Sequence, residues 1–196
     1  MIKFLFDRIM AALGILFLLP LFFAIAVWVM LDSKGGAFFV QTRVGKNGRH
    51  FGLFKFRTMR PLSEKAGKLT VGSKDPRITN AGHFLRKYKL DELPQLFNVF
   101  NADMSFVGPR PEVPEYVAHY TAEQRKVLTV RPGITDDASL AYFNENDILS
   151  SSPNPENTYL ETIMPAKLEL NLAYLKRRNF FTDLAVIAKT LKRIVS

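Results

Sequence analysis

Apolar and polar positions along the 196-residue chain fall into three regimes. From Ile9 to Leu31, 23 residues, no charged side chain occurs, and a run of about 20 apolar residues is what a helix needs to cross a bilayer. From Phe38 to Arg43 and from Phe51 to Thr58, aromatic and β-branched residues concentrate around Gly45-Lys46-Asn47-Gly48, which predicts a β-hairpin. Past a loop from Asp75-Pro76 to Thr79 the pattern turns helical: Asn80 reads as the cap of a helix running to about Lys89, and Leu93 or Pro94 as the start of another. Near the carboxyl end, Leu184, Ile187, Leu191 and Ile194 share one helical face and Lys189, Lys192 and Arg193 another. The apolar stripe is expected to pack on the domain, while Lys176-Arg177-Arg178 and Phe180-Phe181 suit either the domain or a lipid surface. These periods predict an α+β, mainly helical fold: a compact domain over residues 36–196 carrying a short β-hairpin, behind a membrane segment at residues 1–35.

Pro20 interrupts that segment near its middle. A proline inside a helix removes one hydrogen bond and crowds the preceding turn, at about 3 kcal/mol, so the segment is expected to break there and return to its side of entry as a re-entrant helix. Charge favours the same topology, because Lys3 and Arg8 precede the segment and a strongly basic region follows it. The freed backbone groups at the break need partners, and Leu19, just before it, has no polar side chain to offer. Ala24-Ile25-Ala26 resembles a signal-peptidase site but lies inside the apolar run, which argues against a cleaved leader.

Composition narrows the chemistry. The chain is 47% hydrophobic, enough for one real core. It has no cysteine, which excludes disulfides, thiolate metal sites and a cysteine nucleophile. His50, His83 and His119 lack metal-ligand spacing, so any metal is expected to be a hard ion held by carboxylate and phosphate oxygens. The formal charge of +9 is unevenly spread: residues 32–90 carry 14 basic side chains against 3 acidic, whereas residues 91–162 carry 4 against 12. A block this basic calls for an anionic partner, such as lipid headgroups, nucleic acid or a phosphorylated substrate.

Where the two charge regimes meet stands Leu90-Asp91-Glu92-Leu93-Pro94-Gln95, with Gly108-Pro109-Arg110-Pro111 shortly after. Adjacent carboxylates can act as nucleophile, metal ligand or proton acceptor, and arginines can hold the anions such a site handles; the plain alternative is a solvated acidic pair at a helix start. Placed at the amino end of a helix, the pair is expected to be favoured in its ionised form by the helix dipole. In Lys55-Phe56-Arg57 the alternation puts both cations on one strand face. Val107-Gly108-Pro109-Arg110-Pro111 reads as a rigid loop and Arg131-Pro132-Gly133-Ile134-Thr135 as a turn. No internal repeat and no dinucleotide or Walker fingerprint is present.

Taken in order, the proline-broken apolar segment, Lys55-Phe56-Arg57-Thr58-Met59, Leu90-Asp91-Glu92-Leu93-Pro94-Gln95, Asp103-Met104-Ser105-Phe106-Val107-Gly108-Pro109-Arg110-Pro111 and Arg131-Pro132-Gly133-Ile134-Thr135 resemble the bacterial sugar transferase family. More narrowly, the chain is similar to the small monotopic phosphoglycosyl transferases. The resemblance implies transfer of a sugar-1-phosphate from a UDP-sugar to undecaprenyl phosphate, with Mg²⁺ and release of UMP, as the first membrane step of a glycoconjugate pathway. It implies a monotopic protein of the bacterial inner membrane with its catalytic domain on the cytoplasmic face, partnered by the bilayer and by downstream glycosyltransferases; a second copy of the chain stays open as a partner. By motif position Asp91 would be the nucleophile carrying a covalent phosphosugar and the metal ligand, and Glu92 either a proton acceptor or an orienting group. Lys55, Arg57, Arg86 and Arg110 would bind phosphates, Pro109 and Pro111 would shape the nucleotide pocket, and Pro20 would break the membrane helix.

Three departures from the family pattern stand out. Leu19 stands where relatives often have serine, Asp136-Asp137-Ala138-Ser139 replaces a frequent Gly-Leu-Ala-Gln, and Phe143 occupies the place of an arginine. Two rival readings follow: an inactive family member serving as a membrane scaffold, suggested by Phe143, and a membrane-tethered polyanion-binding protein built on the basic block. No nucleic-acid-binding motif accompanies the basic residues, so nucleic acid is not expected as a partner.

Overall fold

The computed structural model describes residues 2–61 and 75–195; part of the basic block, residues 62–74, lies outside the described residues. Helices predominate. The apolar segment forms α1 (Ile2–Asp32), helical through Pro20, at about 1.5 Å per residue the longest element in the described chain. The expected hairpin is present as β1 (Phe38–Val44) paired antiparallel with β2 (His50–Phe56), with Phe38 opposite Phe56 and Val44 opposite His50.

Behind the hairpin come α2 (Asn80–Lys87), a 3₁₀ turn (Leu90–Glu92) and α3 (Gln95–Phe100). The cap of α2 is Thr79 rather than Asn80: its hydroxyl accepts from Gly82 N at 3.0 Å. Asp32, at the end of α1, accepts from Ala81 N at 2.9 Å, so two side chains share the orphan donors of that helix start. The Asn98 amide of α3 docks on β2, accepting from Phe54 N at 3.0 Å and donating to Gly52 O at 2.7 Å.

The expected turn at Arg131–Thr135 is instead a strand. β3 (Ser105–Val107) and β4 (Gly133–Thr135) pair in parallel, Ser105 opposite Gly133 and Val107 opposite Thr135. Glycine is required where they meet, because a Cβ on Gly133 would lie 2.2 Å from Gly108 N and one on Gly108 2.5 Å from Arg131 O. Backbone proximity of this kind, invisible in a single-segment reading, converts a Pro-Gly turn signal into a short strand.

The remaining chain wraps this frame: α4 (Pro114–Ala118), α5 (Asp137–Ala141), α6 (Glu145–Ser150), α7 (Pro155–Thr158), α8 (Met164–Arg177) and α9 (Phe180–Val195). Within α9 only Ile187 of the apolar stripe packs inward, against Val107, Tyr174 and Val186, while Leu184, Leu191 and Ile194 are exposed. The expected packing of that stripe on the domain is therefore corrected: the face is largely unpartnered, because Asp183 and Val186 take the inward positions.

Along its length α1 lies on the domain. Phe22, Ile25 and Val29 pack with Phe56, Ala81, Leu85 and Leu96, and Ala11 packs with Leu53, Val99 and Met104. Its amino end is held by Lys3, which donates to Val107 O at 3.0 Å and pairs with Asp183, and by Asp7, which accepts from Ser105 Oγ at 2.7 Å. The opposite face, including Leu13, Leu16, Phe17, Phe23 and Leu31, is exposed. An exposed apolar face of this extent on a helix long and apolar enough to cross a membrane marks membrane association.

Candidate active site

Asp91 and Glu92 enter the site through the geometry of the chain just before them. Two residues past the end of α2, Lys89 takes up the left-handed region, at φ 56°. A non-glycine residue pays roughly 1–2 kcal/mol there, and such strain persists where the surroundings fix it. The reversal sends the chain into the 3₁₀ turn carrying the carboxylates, and Pro94 then opens α3 as its N-cap.

Four basic residues from separate elements converge on the pair. Lys55 of β2 donates to Glu92 Oε1 at 2.9 Å. Arg110, after β3, engages the same carboxylate with both terminal nitrogens, Nη1 to Oε2 at 3.2 Å and Nη2 to Oε1. Arg86 of α2 is anchored through Nε to Thr58 Oγ1 at 2.9 Å, and its charge and those of Lys55 and Lys89 act on Asp91. Among the described residues the Asp91 carboxylate, 6% exposed, has no hydrogen-bond or ion-pair partner.

The two carboxyls consequently titrate in opposite directions. Burial alone would raise Glu92, but Arg110 and Lys55 hold it well below the usual carboxylate range. Asp91 is pushed up by burial and by the adjacent charge of Glu92, against which the cations prevail only in part. The expected help of a helix dipole is thus outweighed; α3 has six residues and the pair precedes its cap. Burial lowers Lys55 and Arg86, whereas the charge of Glu92 raises Arg110.

Arg57, grouped with Lys55 by strand alternation, goes elsewhere. β2 ends at Phe56, and the Arg57 guanidinium turns to the end of α1, where Nη2 donates to Ser33 O at 2.7 Å, Ser33 Oγ at 3.1 Å and Val29 O at 3.4 Å. Pro109 and Pro111 are buried beside Arg110 and line a small cavity with Tyr120, Tyr159 and Asn171. Arg43 braces this loop, donating to Pro111 O at 2.9 Å and pairing with Glu112 at 3.5 Å. Phe143 carries a cation on its ring twice over, Lys89 at 5.3 Å and Arg193 at 4.8 Å. Sequence reasoning passed over Arg43, Lys89 and Arg193 as site neighbours; their pairings are long-range and leave no local signal.

No group of three or more His, Cys, Asp or Glu side chains suited to a metal occurs among the described residues. The donor chemistry nevertheless fits Mg²⁺, which is commonly held by one or two carboxylates together with substrate phosphates and water, and the unpaired Asp91 carboxylate offers such a ligand.

A family model described as Bacterial sugar transferase matches residues 1–196. The chain belongs to the bacterial sugar transferase family. It is 38% identical, over 98% of its length, to 38% of the UDP-glucose:undecaprenyl-phosphate glucose-1-phosphate transferase of Xanthomonas campestris pv. campestris. Identity is 34% to the UDP-N-acetylgalactosamine-undecaprenyl-phosphate N-acetylgalactosaminephosphotransferase of Aeromonas hydrophila, over 97% of this chain and 43% of that one. To the UDP-glucose:undecaprenyl-phosphate glucose-1-phosphate transferase of Escherichia coli (strain K12) it is 33%, over 94% and 38%. The chain thus spans less than half the length of these family relatives.

Proposed function

We propose that this protein transfers a sugar-1-phosphate from a UDP-sugar to undecaprenyl phosphate. The observation that carries the reading is the convergence of Lys55, Arg86 and Arg110 on adjacent, oppositely perturbed carboxyls; the relatives' names supply the substrate class. An Asp91 oxygen attacks the β-phosphorus of the donor, the bond from that phosphorus to the bridging oxygen breaks, and UMP leaves with the electron pair. An oxygen of undecaprenyl phosphate then attacks the same phosphorus, the bond to Asp91 breaks, and the carboxylate is restored as the polyprenyl diphosphate sugar departs. Covalent catalysis of this kind lets a soluble donor and a lipid acceptor use one site in turn.

Glu92 is assigned the orienting role. Held well below the usual carboxylate range by two cations, it is a weak proton acceptor, and a phosphate monoester with a second pKa of about 6 needs little deprotonation near neutrality. Arg86 and Arg110 grip phosphate oxygens, a task suited to the guanidinium fork. Asp91 would hold Mg²⁺ with phosphate oxygens, and the bound ion supplies positive charge that favours the ionised carboxylate and offsets the phosphates. The Lys89 and Arg193 pair at Phe143 keeps positive charge where the family pattern has arginine, which favours an active enzyme over a scaffold. Both ends of α1 meet the same domain, which supports a monotopic attachment with both ends on one side; the domain then faces the cytoplasm at the bacterial inner membrane.

UMP release from a panel of UDP-sugars with undecaprenyl phosphate and Mg²⁺ tests the reaction. Wild type is expected to turn over at least one donor, Asp91→Asn to fall to background, and Arg110→Ala to lose about 10²-fold in kcat, the usual cost of one charge-stabilising donor. Turnover surviving in Asp91→Asn would remove Asp91 from the nucleophile's role.

A further inference from the structure

The loop carrying Arg110 is short of backbone donors. Pro109 and Pro111 flank it, and proline has no N–H, so the Arg110 N–H is the single donor through which the main chain of that tripeptide can be held. Asp136 holds it: Arg110 N donates to Asp136 Oδ2 at 3.1 Å. The other carboxylate oxygen, Oδ1, accepts from Ser139 N at 2.6 Å and caps α5. Asp136 is 0% exposed, so water does not compete for either bond.

The remaining anchors of the loop act on its carbonyls. Pro109 O accepts from Gly133 N at 3.0 Å and Pro111 O from Arg43 Nη1 at 2.9 Å. Gly133 and Asp136 thus hold both polar atoms of the peptide between Pro109 and Arg110, and Arg43 holds the peptide that follows Pro111. From there the side chain reaches Glu92, which it meets with both terminal nitrogens.

We propose that Asp136 is a positioning residue of the phosphate site: by holding the Arg110 main chain it aims the guanidinium at Glu92 and at an incoming phosphate. This rests on the reaction proposed above. The aspartate belongs to the tetrapeptide that departs from the family pattern. A helix cap alone uses one side-chain oxygen; Asp136 uses two, on two elements. The second oxygen is the part that a purely structural role leaves unexplained.

Asp136→Ser separates the two roles, because serine is a good N-cap but has one short oxygen and cannot also reach Arg110. The protein in detergent or nanodiscs is expected to keep its melting temperature to within about 2–4 °C, the shift that roughly 1 kcal/mol produces at this size. Its kcat for UMP release is expected to fall about 10–10²-fold, in line with displacement of a positioned group. An activity-independent readout is guanidinium ¹⁵N NMR of Arg110, assigned with Arg110→Lys. Wild type is expected to show resolved Nη signals of a held side chain, and Asp136→Ser a merged signal of a rotating one. Unchanged Arg110 signals in a folded Asp136→Ser protein would overturn the proposal and leave Asp136 as the cap of α5 alone. Should the serine variant not fold, Asp136→Asn is read in the same way, since its amide NH₂ cannot accept from the second donor. A wild type that releases no UMP sinks the reaction, while the NMR comparison still decides the geometry.

Discussion

Asp91 and Glu92 are chain neighbours in unlike surroundings. Glu92 is neutralised by Arg110 and Lys55, whereas Asp91 is buried beside that same carboxylate without a hydrogen-bond or ion-pair partner among the described residues. With its folded-state pKa raised above 3.8, Asp91 imposes a cost on the folded state that is absent below that unfolded value and complete once pH exceeds the raised one. Asp91→Asn is therefore expected to be inactive yet to melt higher than wild type at neutral pH, with the difference closing on acidification; calorimetry across pH checks this. Glu92 runs the other way: its depressed folded-state value means that it stabilises the fold above its unfolded value of 4.5 and ceases to do so as pH falls through the lower one. The motif residues Asp91, Glu92, Lys55, Arg86 and Arg110 were legible in the sequence as candidates. Their division of labour was not, because it depends on which carboxyl the cations reach. Asp136 was visible only as a departure from a pattern, since its partner Arg110 lies 26 residues away.

At the scale of elements, strand alternation fails where the strand stops. Lys55 lies within β2 and reaches Glu92, while Arg57 lies past its end and closes the carbonyls at the end of α1. Arg57→Met keeps much of the stem but removes these bonds; a loss of about 1.5–3 kcal/mol is expected, read as a lower melting temperature of the purified protein in detergent. The hairpin and the helix after Thr79 were readable from local pattern, because turn glycines and caps act over a few residues. β4 was not, because a strand of three residues is defined by its neighbour. The exposed stripe of α9 was misjudged for a related reason: periodicity identifies an apolar face without saying what covers it.

Across the whole molecule, α1 is fastened at both ends to one domain, by Lys3 and Asp7 at its start and by Asp32 and the Arg57 contacts at its finish. The chain has no cysteine, so single cysteines placed at Ile2 and Lys34 in membrane vesicles give a clean reading of sidedness. Both are expected to react with an impermeant thiol reagent from the same side, and reaction from opposite sides would show that α1 crosses. A protein held at a bilayer is also concentrated there, where chains meet often and a bare strand edge invites another strand. Asn98 already fills two of the backbone positions on β2 that such an intruder would use, Phe54 N and Gly52 O. The side chain that seats α3 on the hairpin thus also guards this protein against aggregation through that edge.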